Sequence, residues 1–404
     1  MLRLTSVCVF LFSALALAFN SGYSLAAVLL LLASISLLWT RPRIGLQRAD
    51  YLLMGTLFVY FFIYTANMFL HSDPGREYDM PSRALLAIPV MLLLRAYPPR
   101  PAAWWSGVAV GAMAGAALAF TQFFTDGVAR PHAATSNAIH YGNVSMLLGM
   151  LSLCGVAWAR HQSRHAAWTA LMVAGCLAGV AGSIISGSRG GWLALPICII
   201  ILAVHYSRQH GKRYLLSALA ILAVLVTMAY VVPSSPVRER TIAAMNELKS
   251  FETTGNIYSS VGQRFEMWRS AWYMSSENML VGIGRSGYLA EKQEMAAEGK
   301  MNAVARDFTN AHNDYLDALV KRGLIGLLTL LALFLLPMKL FINALRHAAP
   351  QAQPMAMAGV ILLTCYMTFG LTTTSLTLNI GIVMLIFPMV MLWSLLQDQQ
   401  RRQS

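Results

Sequence analysis

Long apolar runs, recurring along almost the whole of this 404-residue chain, limit what it can fold into. A hydrocarbon layer about 30 Å thick takes roughly 20 residues of helix at 1.5 Å per residue to cross. Twelve such runs are read: 4–19, 23–39, 51–70, 82–94, 104–124, 141–158, 168–185, 191–206, 214–232, 323–342, 355–372 and 376–396. The fourth is short, and is either tilted, kinked or completed by residues 95–97. Backbone polar groups in lipid must be satisfied internally, and continuous apolar runs satisfy them as helices. The expected fold class is all-α, a polytopic membrane protein with about twelve transmembrane helices.

Composition points the same way, since a chain that is 57% hydrophobic and 12% charged does not make an ordinary soluble domain. The first run also reads like a signal peptide, with Arg3, an apolar core and Ala16-Leu-Ala18 as a cleavage site. Only residues 20–22 separate it from the second run, so a helical hairpin that stays in the protein is the preferred reading.

Basic residues set the orientation. Alternate short loops and the termini carry Arg3, Arg41, Arg43, Arg48, Arg95, Arg100, Arg160, Arg164, Arg208, Lys212, Arg213, Lys339, Arg346, Arg401 and Arg402. The opposite short loops hold Arg76, Arg83, Arg130 and Arg189. By the positive-inside rule the first side is cytoplasmic. The chain then divides into nine spans over 1–232, a large outer helical loop over 233–311, and three spans over 312–404 with a cytoplasmic C-terminus. The formal charge of +13 is a matter of topology, and no nucleic-acid partner is expected; membrane lipids are.

All five cysteines, Cys8, Cys154, Cys176, Cys198 and Cys365, fall inside spans, which suggests neither a disulfide framework nor a thiolate metal site. Glu77 and Asp79, with Asp73 nearby, offer carboxylates to a hard cation, but no further ligands accompany them and a solvated loop is the plainer reading. No metal and no cofactor is expected. His132 and His140 flank Thr135-Ser-Asn137 in another outer loop, either touching substrate or simply polar.

Room for extra-membrane structure exists only in 233–311. Helices are expected over 237–251, where Ile242, Met245 and Leu248 recur at three-residue spacing, and over 261–274, where Phe265, Trp268 and Trp272 mark one face. Gly282-Ile-Gly284-Arg-Ser-Gly287 follows without a preceding strand, so a turn returning the chain to the membrane is preferred over a phosphate loop.

His312 lies where this polar segment runs into an apolar helix, at membrane-surface depth within reach of both water and a lipid-borne group. Arg189, in the interruption Ser186-Gly-Ser-Arg-Gly-Gly-Trp192, and Arg264, in Val261-Gly-Gln-Arg-Phe-Glu-Met-Trp268, also sit near the outer face. A guanidinium presents a planar donor fork that matches phosphate oxygens. Each arginine is either a phosphate ligand or a charge at a polar turn or headgroup.

Together, Ser188-Arg-Gly190, Gln263-Arg-Phe-Glu-Met-Trp268, Gly282-Ile-Gly284, Ala311-His-Asn-Asp-Tyr-Leu316 and Gly323-Leu-Ile-Gly326 occur in the order that resembles the O-antigen ligase and polymerase superfamily. The resemblance covers about 186–326; one departure is Asn278-Met279, where relatives often carry a proline. It implies a GT-C-like, inverting, metal-independent glycosyltransferase in a bacterial inner membrane. Its glycan donor would be linked to undecaprenyl diphosphate and its acceptor would be lipid A-core, with 233–311 in the periplasm.

On that resemblance His312 is the general base, and Arg189 and Arg264 bind the diphosphate. Asn313 and Asp314 either cap the helix or orient His312, and Arg83 binds a phosphate or anchors the interface. An O-antigen polymerase, a protein O-oligosaccharyltransferase and a lipid-linked-glycan flippase are the alternatives. The span centres hold no Asp, Glu, Lys or Arg, which speaks against an ion-coupled pump.

Overall fold

A computed structural model describes residues 1–231, 236–276 and 278–402. The chain is helical, with no strand among the described residues: α1 Leu2–Ala14, α2 Gly22–Ser34, α3 Leu37–Thr40, α4 Arg48–Leu70, α5 Asp79–Ala96, α6 Pro101–Phe124, α7 Ala138–Ala159, α8 His165–Ile185, α9 Arg189–His210, α10 Lys212–Val231, α11 Pro236–Thr254, α12 Ser260–Ser275, α13 Gly284–Ala297, α14 Ala303–Arg306, α15 Asp314–His347, α16 Gln353–Phe369 and α17 Asn379–Arg401. The expected boundary between 232 and 233 lies outside the described residues.

Among the described residues eight helices are long and apolar enough to cross a membrane, against the twelve runs expected. They are α2 with α3, α4, α6, α7, α8, α9, α15 and α17. The other four runs are helical too, but α1 and α16 are short, and α5 carries Asp79, Arg83 and Arg95. The protein is a multi-pass membrane protein by this measure.

α7 and α17 form the centre, with 83% and 94% of their apolar windows buried inside the protein. Lipid tails are as apolar as leucine, so helices here associate through close packing rather than through a hydrophobic gain. Glycine permits it: a Cβ on Gly179 of α8 would stand 2.6 Å from the Gly149 Cα of α7.

One end of the bundle is locked by a buried ion pair. Asp50, at the start of α4, meets Arg95, at the end of α5, at 3.1 Å, and accepts a hydrogen bond from Trp393 Nε1 of α17 at 2.8 Å. Arg95 is therefore an internal tie, buried at the end of α5. At the opposite end the turn between α8 and α9 meets the starts of α7 and α15 and the end of α16.

A small lobe of α12, α13 and α14 sits at that second end, built on Met267, Ala271, Met274, Tyr288, Met295 and Met301 with Val320 of α15. The glycine-rich segment ties it to the bundle. Ile283 N donates to Val320 O at 3.0 Å, and Leu324 N to Met279 O at 2.8 Å, across a break in α15 at Gly323. There φ is +63° and ψ is −164°, a region open only to glycine. A Cβ would also strike the Leu280 backbone. Gly323→Ala is expected to destabilise the protein by about 1–3 kcal/mol from conformation alone, read as a lower melting temperature in detergent; an unchanged melt would mean that the break is not required.

Candidate functional site

The turn at 186–189 is fixed before any side chain enters the site. Gly187 takes φ +68°, Ser188 N donates to Ser186 Oγ at 3.1 Å, and Ser188 Oγ bonds Ile139 O at 3.2 Å and Asn143 Oδ1 at 3.0 Å on α7. α9 thus begins at Arg189, whose guanidinium reaches 4.0 Å from Glu247 of α11. The other oxygen of Glu247 accepts from Val261 N at 3.1 Å, and Ser259 caps the same helix through Gly262 N at 3.0 Å. One carboxylate therefore links Arg189 to the helix that carries Arg264.

His312 stands in a short segment held from several sides. Lys292 Nζ donates to Phe308 O at 2.7 Å, Lys321 Nζ to Thr309 O at 2.9 Å, Ala311 N to Asp317 Oδ1 at 3.1 Å, and His312 N to Asn310 Oδ1 at 3.1 Å. Its φ is +49°, a left-handed conformation costly for a side chain with a Cβ. Such strain persists where surrounding bonds over-determine it, and here they do. Burial brings Lys292 down to about 8, helped by the neighbouring Lys321 ammonium.

Arg189, Arg264 and His312 line one cleft of about 880 Å³, open mouth included, with Arg130, Arg240, Glu247 and Gln263. Four guanidinium groups thus face a single carboxylate. Burial lowers the pKa of His312, and Arg264 lowers it further; Asp317 opposes them and Lys292 adds to the fall. Its Nδ1 is shut off from solvent without a hydrogen-bond partner among the described residues, while the ring as a whole is half-buried. A protonated ring would place an unpaired N–H there, which also favours the neutral form.

The remaining predicted residues lie elsewhere or do other work. Asn313 caps α15, its Oδ1 accepting from Tyr315 N and Leu316 N at 3.0 Å each. Asp314 is buried and accepts from Ser375 N at 3.0 Å and Leu376 N at 3.3 Å, which fastens the start of α15 to the segment after α16. Arg83 pairs with Asp79 at 2.8 Å and is not a lining residue of the cleft; nor is His132 or His140.

The acidic residues weighed for a cation are otherwise engaged. Asp73 accepts from Arg285 N at 3.1 Å and Ser286 N at 2.9 Å at the start of α13, and Glu77 pairs with Arg285. Among the described residues no cluster suited to a metal is present.

Sequence reasoning did not single out Arg240 or Glu247 for the site, although they lie seven residues apart on one face of a predicted helix. It also passed over Lys321, spaced four residues from Asp317, and Lys292. The i,i+4 spacing signals the Asp317–Lys321 pair, which closes at 2.7 Å; nothing local marks Lys292.

Comparison with known proteins adds two findings. The chain is 27% identical over 363 residues to a protein of Haemophilus influenzae (strain ATCC 51907 / DSM 11121 / KW20 / Rd) described as uncharacterized, covering 89% of this chain and 90% of that one. Residues 174–331, which include Arg189, Arg240, Arg264 and His312 but not Arg130, match the family model described as O-antigen ligase. Over that stretch, the chain is similar to the O-antigen ligase family.

Proposed function

We propose that the protein is an inverting glycosyltransferase that moves a glycan from undecaprenyl diphosphate to a sugar hydroxyl of lipid A-core, at the periplasmic face of a bacterial inner membrane. One observation carries the reading: a half-buried histidine shares a cleft with four arginines and one carboxylate, at the bundle end that bears the helical lobe.

In this mechanism the neutral His312 ring removes the acceptor hydroxyl proton as the oxygen bonds to the anomeric carbon. The bond from that carbon to the phosphate oxygen breaks on the opposite face, and the diphosphate leaves with the electron pair. Arg189 and Arg264 stabilise the charge that gathers on it. Glu247 holds the two arginines in register. Arg83, paired with Asp79, serves as an interfacial charge in this reading.

We place both termini in the cytoplasm and all twelve apolar runs across the membrane, with the lobe outside. The supporting pattern is that basic loop residues gather at the end opposite the cleft.

The test is reconstitution of the purified protein with a defined undecaprenyl-diphosphate glycan and lipid A-core. New glycan on the core is the expected product. Lengthened carrier-linked glycan would replace ligation by polymerisation, and glycan movement without a new bond would replace both by transport.

The pH dependence follows from the lowered pKa of His312. The base works when neutral, so activity is lost as pH falls through its pKa, below the ordinary histidine range near 6.5. Arg264→Gln removes a nearby positive charge, which lets the ring hold its proton to higher pH. The acid limb of kcat/KM is therefore expected to move toward higher pH, whatever the loss in absolute rate. A limb that stays in place would assign it to another group.

A further inference from the structure

The bundle holds a second recess, an apolar groove that the proposed mechanism does not use. α7 and α9 both begin beside the cleft, and the groove lies toward their other ends. α9 packs against α7 on one side and α10 on the other, and the space between those two neighbours amounts to about 770 Å³, open mouth included. Its walls are Leu153 and Val156 of α7, Ile199, Leu202 and Ala203 of α9, and Ala218 of α10. On α10, Leu216, Ile221 and Val224 are each more than half exposed, so the groove opens among side chains suited to lipid and not to water.

The end of the groove is polar. Arg160, Tyr206 and Tyr214 stand there, and Arg160 and Tyr206 also line an adjoining depression with His161, His205, Gln209 and Gln353. Gln209 Nε2 donates to Gln353 Oε1 at 2.7 Å, and Gln353 Nε2 to Ala348 O at 3.1 Å, which joins the end of α9 to the start of α16. The charge here has one sign. No acidic residue occurs between Asp126 and Glu239 or between Asp317 and Asp398, so α7, α8, α9, α10 and α16 carry none. The acids at this end of the bundle are already engaged, Asp50 with Arg95 and Asp398 with Arg402. The Arg160 side chain is exposed, at the mouth that the apolar walls lead to.

We infer that the groove and the depression together bind one anionic glycerophospholipid, with an acyl chain along the groove and the phosphate at Arg160. A guanidinium fork matches phosphate oxygens, tyrosine suits headgroup depth, and basic pockets between membrane helices take acidic headgroups. A zwitterionic lipid would bring its ammonium to a place without a free carboxylate, and a soluble phosphate would leave the apolar walls unfilled. The bound lipid fills the gap between α7 and α10. This site stands independently of the transferase reading, since no residue of the cleft takes part in it.

The experiment measures binding of phosphatidylglycerol and phosphatidylcholine of equal chain length to the full chain in detergent, by native mass spectrometry. The native protein is expected to hold one phosphatidylglycerol in preference to phosphatidylcholine. In Arg160→Gln that preference should fall about tenfold, the scale of one charge-assisted hydrogen bond, with phosphatidylcholine binding held within about twofold. Arg164→Gln removes a charge from the same loop that lines neither recess, and should leave the preference in place. Ala218→Phe fills the groove and should weaken both lipids. Glycerol phosphate, which has the headgroup but no chains, should not compete at matched concentration. A preference that survives Arg160→Gln overturns the site, as does an equal loss in Arg164→Gln, which would be general electrostatics. Undiminished lipid binding by Ala218→Phe, or competition by glycerol phosphate, would remove the acyl chain from the groove and the proposal with it. A stable dimer in lipid-free detergent that Ala218→Phe dissociates would give the groove to a second copy of the chain instead.

Discussion

His312→Ala is expected to abolish glycan transfer, or nearly so, while leaving donor binding largely intact. General-base assistance is typically worth about 10²- to 10⁴-fold, so a small loss would not suffice. Donor binding should survive because Arg264 and Arg189, not the ring, carry the charge that meets the diphosphate in this reading. The folding risk is low at this position, for the held groups around it are backbone atoms of 308–312 and not the imidazole. Alanine does retain the strained φ of +49°, so a second variant, His312→Asn, is useful, because asparagine tolerates the left-handed region. Retained turnover in both variants would remove the base role. Loss of donor binding with chemistry otherwise unimpaired would move His312 into the diphosphate site.

Much of the architecture is legible because membrane spans are written locally. Each apolar run needs only its own residues to become a helix, and among the described residues each of the twelve expected runs contains one. What is not local is whether a helix crosses alone. α1 and α16 are short, and α5 keeps three ionised groups within its helix, Arg95 paired with Asp50 and Asp79 with Arg83. The start of the run at 323 coincides with the break at Gly323, and the helical turns over 314–322 before it are foreshadowed in the sequence by the caps at Asn313 and Asp314 and not by an apolar run. Their stability depends on Asn313 as a cap and on the lobe packed against Val320, a contact between distant segments.

The cleft divides in a similar way. His312, Arg189 and Arg264 carry ordered local motifs, and the fold brings all three to one cavity. Arg83 has the same chemistry and, in the topology expected from the sequence, the same side of the membrane, but Asp79 one turn away engages it. Arg130 and Arg240 have no motif; only the packing of α11 and the approach of a loop to Ser186 bring them together. A charge count along the chain does not distinguish these cases, because partners lie up to tens of residues away.

Loss of Asp317 is expected to be as damaging as loss of the histidine, for a different reason. Its side chain is buried, meets Lys321 Nζ at 2.7 Å and accepts from Ala311 N at 3.1 Å. Lys321 and Lys292 both lie over the Tyr288 ring, at 4.9 and 5.1 Å from its centre, and each holds a carbonyl just before His312. Asp317→Ala leaves two ammonium groups close together without their carboxylate, and removing one partner of a buried pair costs about 3–5 kcal/mol. The melting temperature should fall accordingly. Turnover should fall further than unfolding explains, since a displacement of about 1 Å at a reacting group costs about 10²-fold. Replacing both members, Asp317→Leu with Lys321→Met, separates the two effects. Stability should partly return because no lone charge remains from the pair, while turnover should stay low because Thr309 O and Ala311 N are no longer held. An Asp317→Ala protein that melts and turns over like the native one would show that the network neither stabilises the lobe nor positions His312.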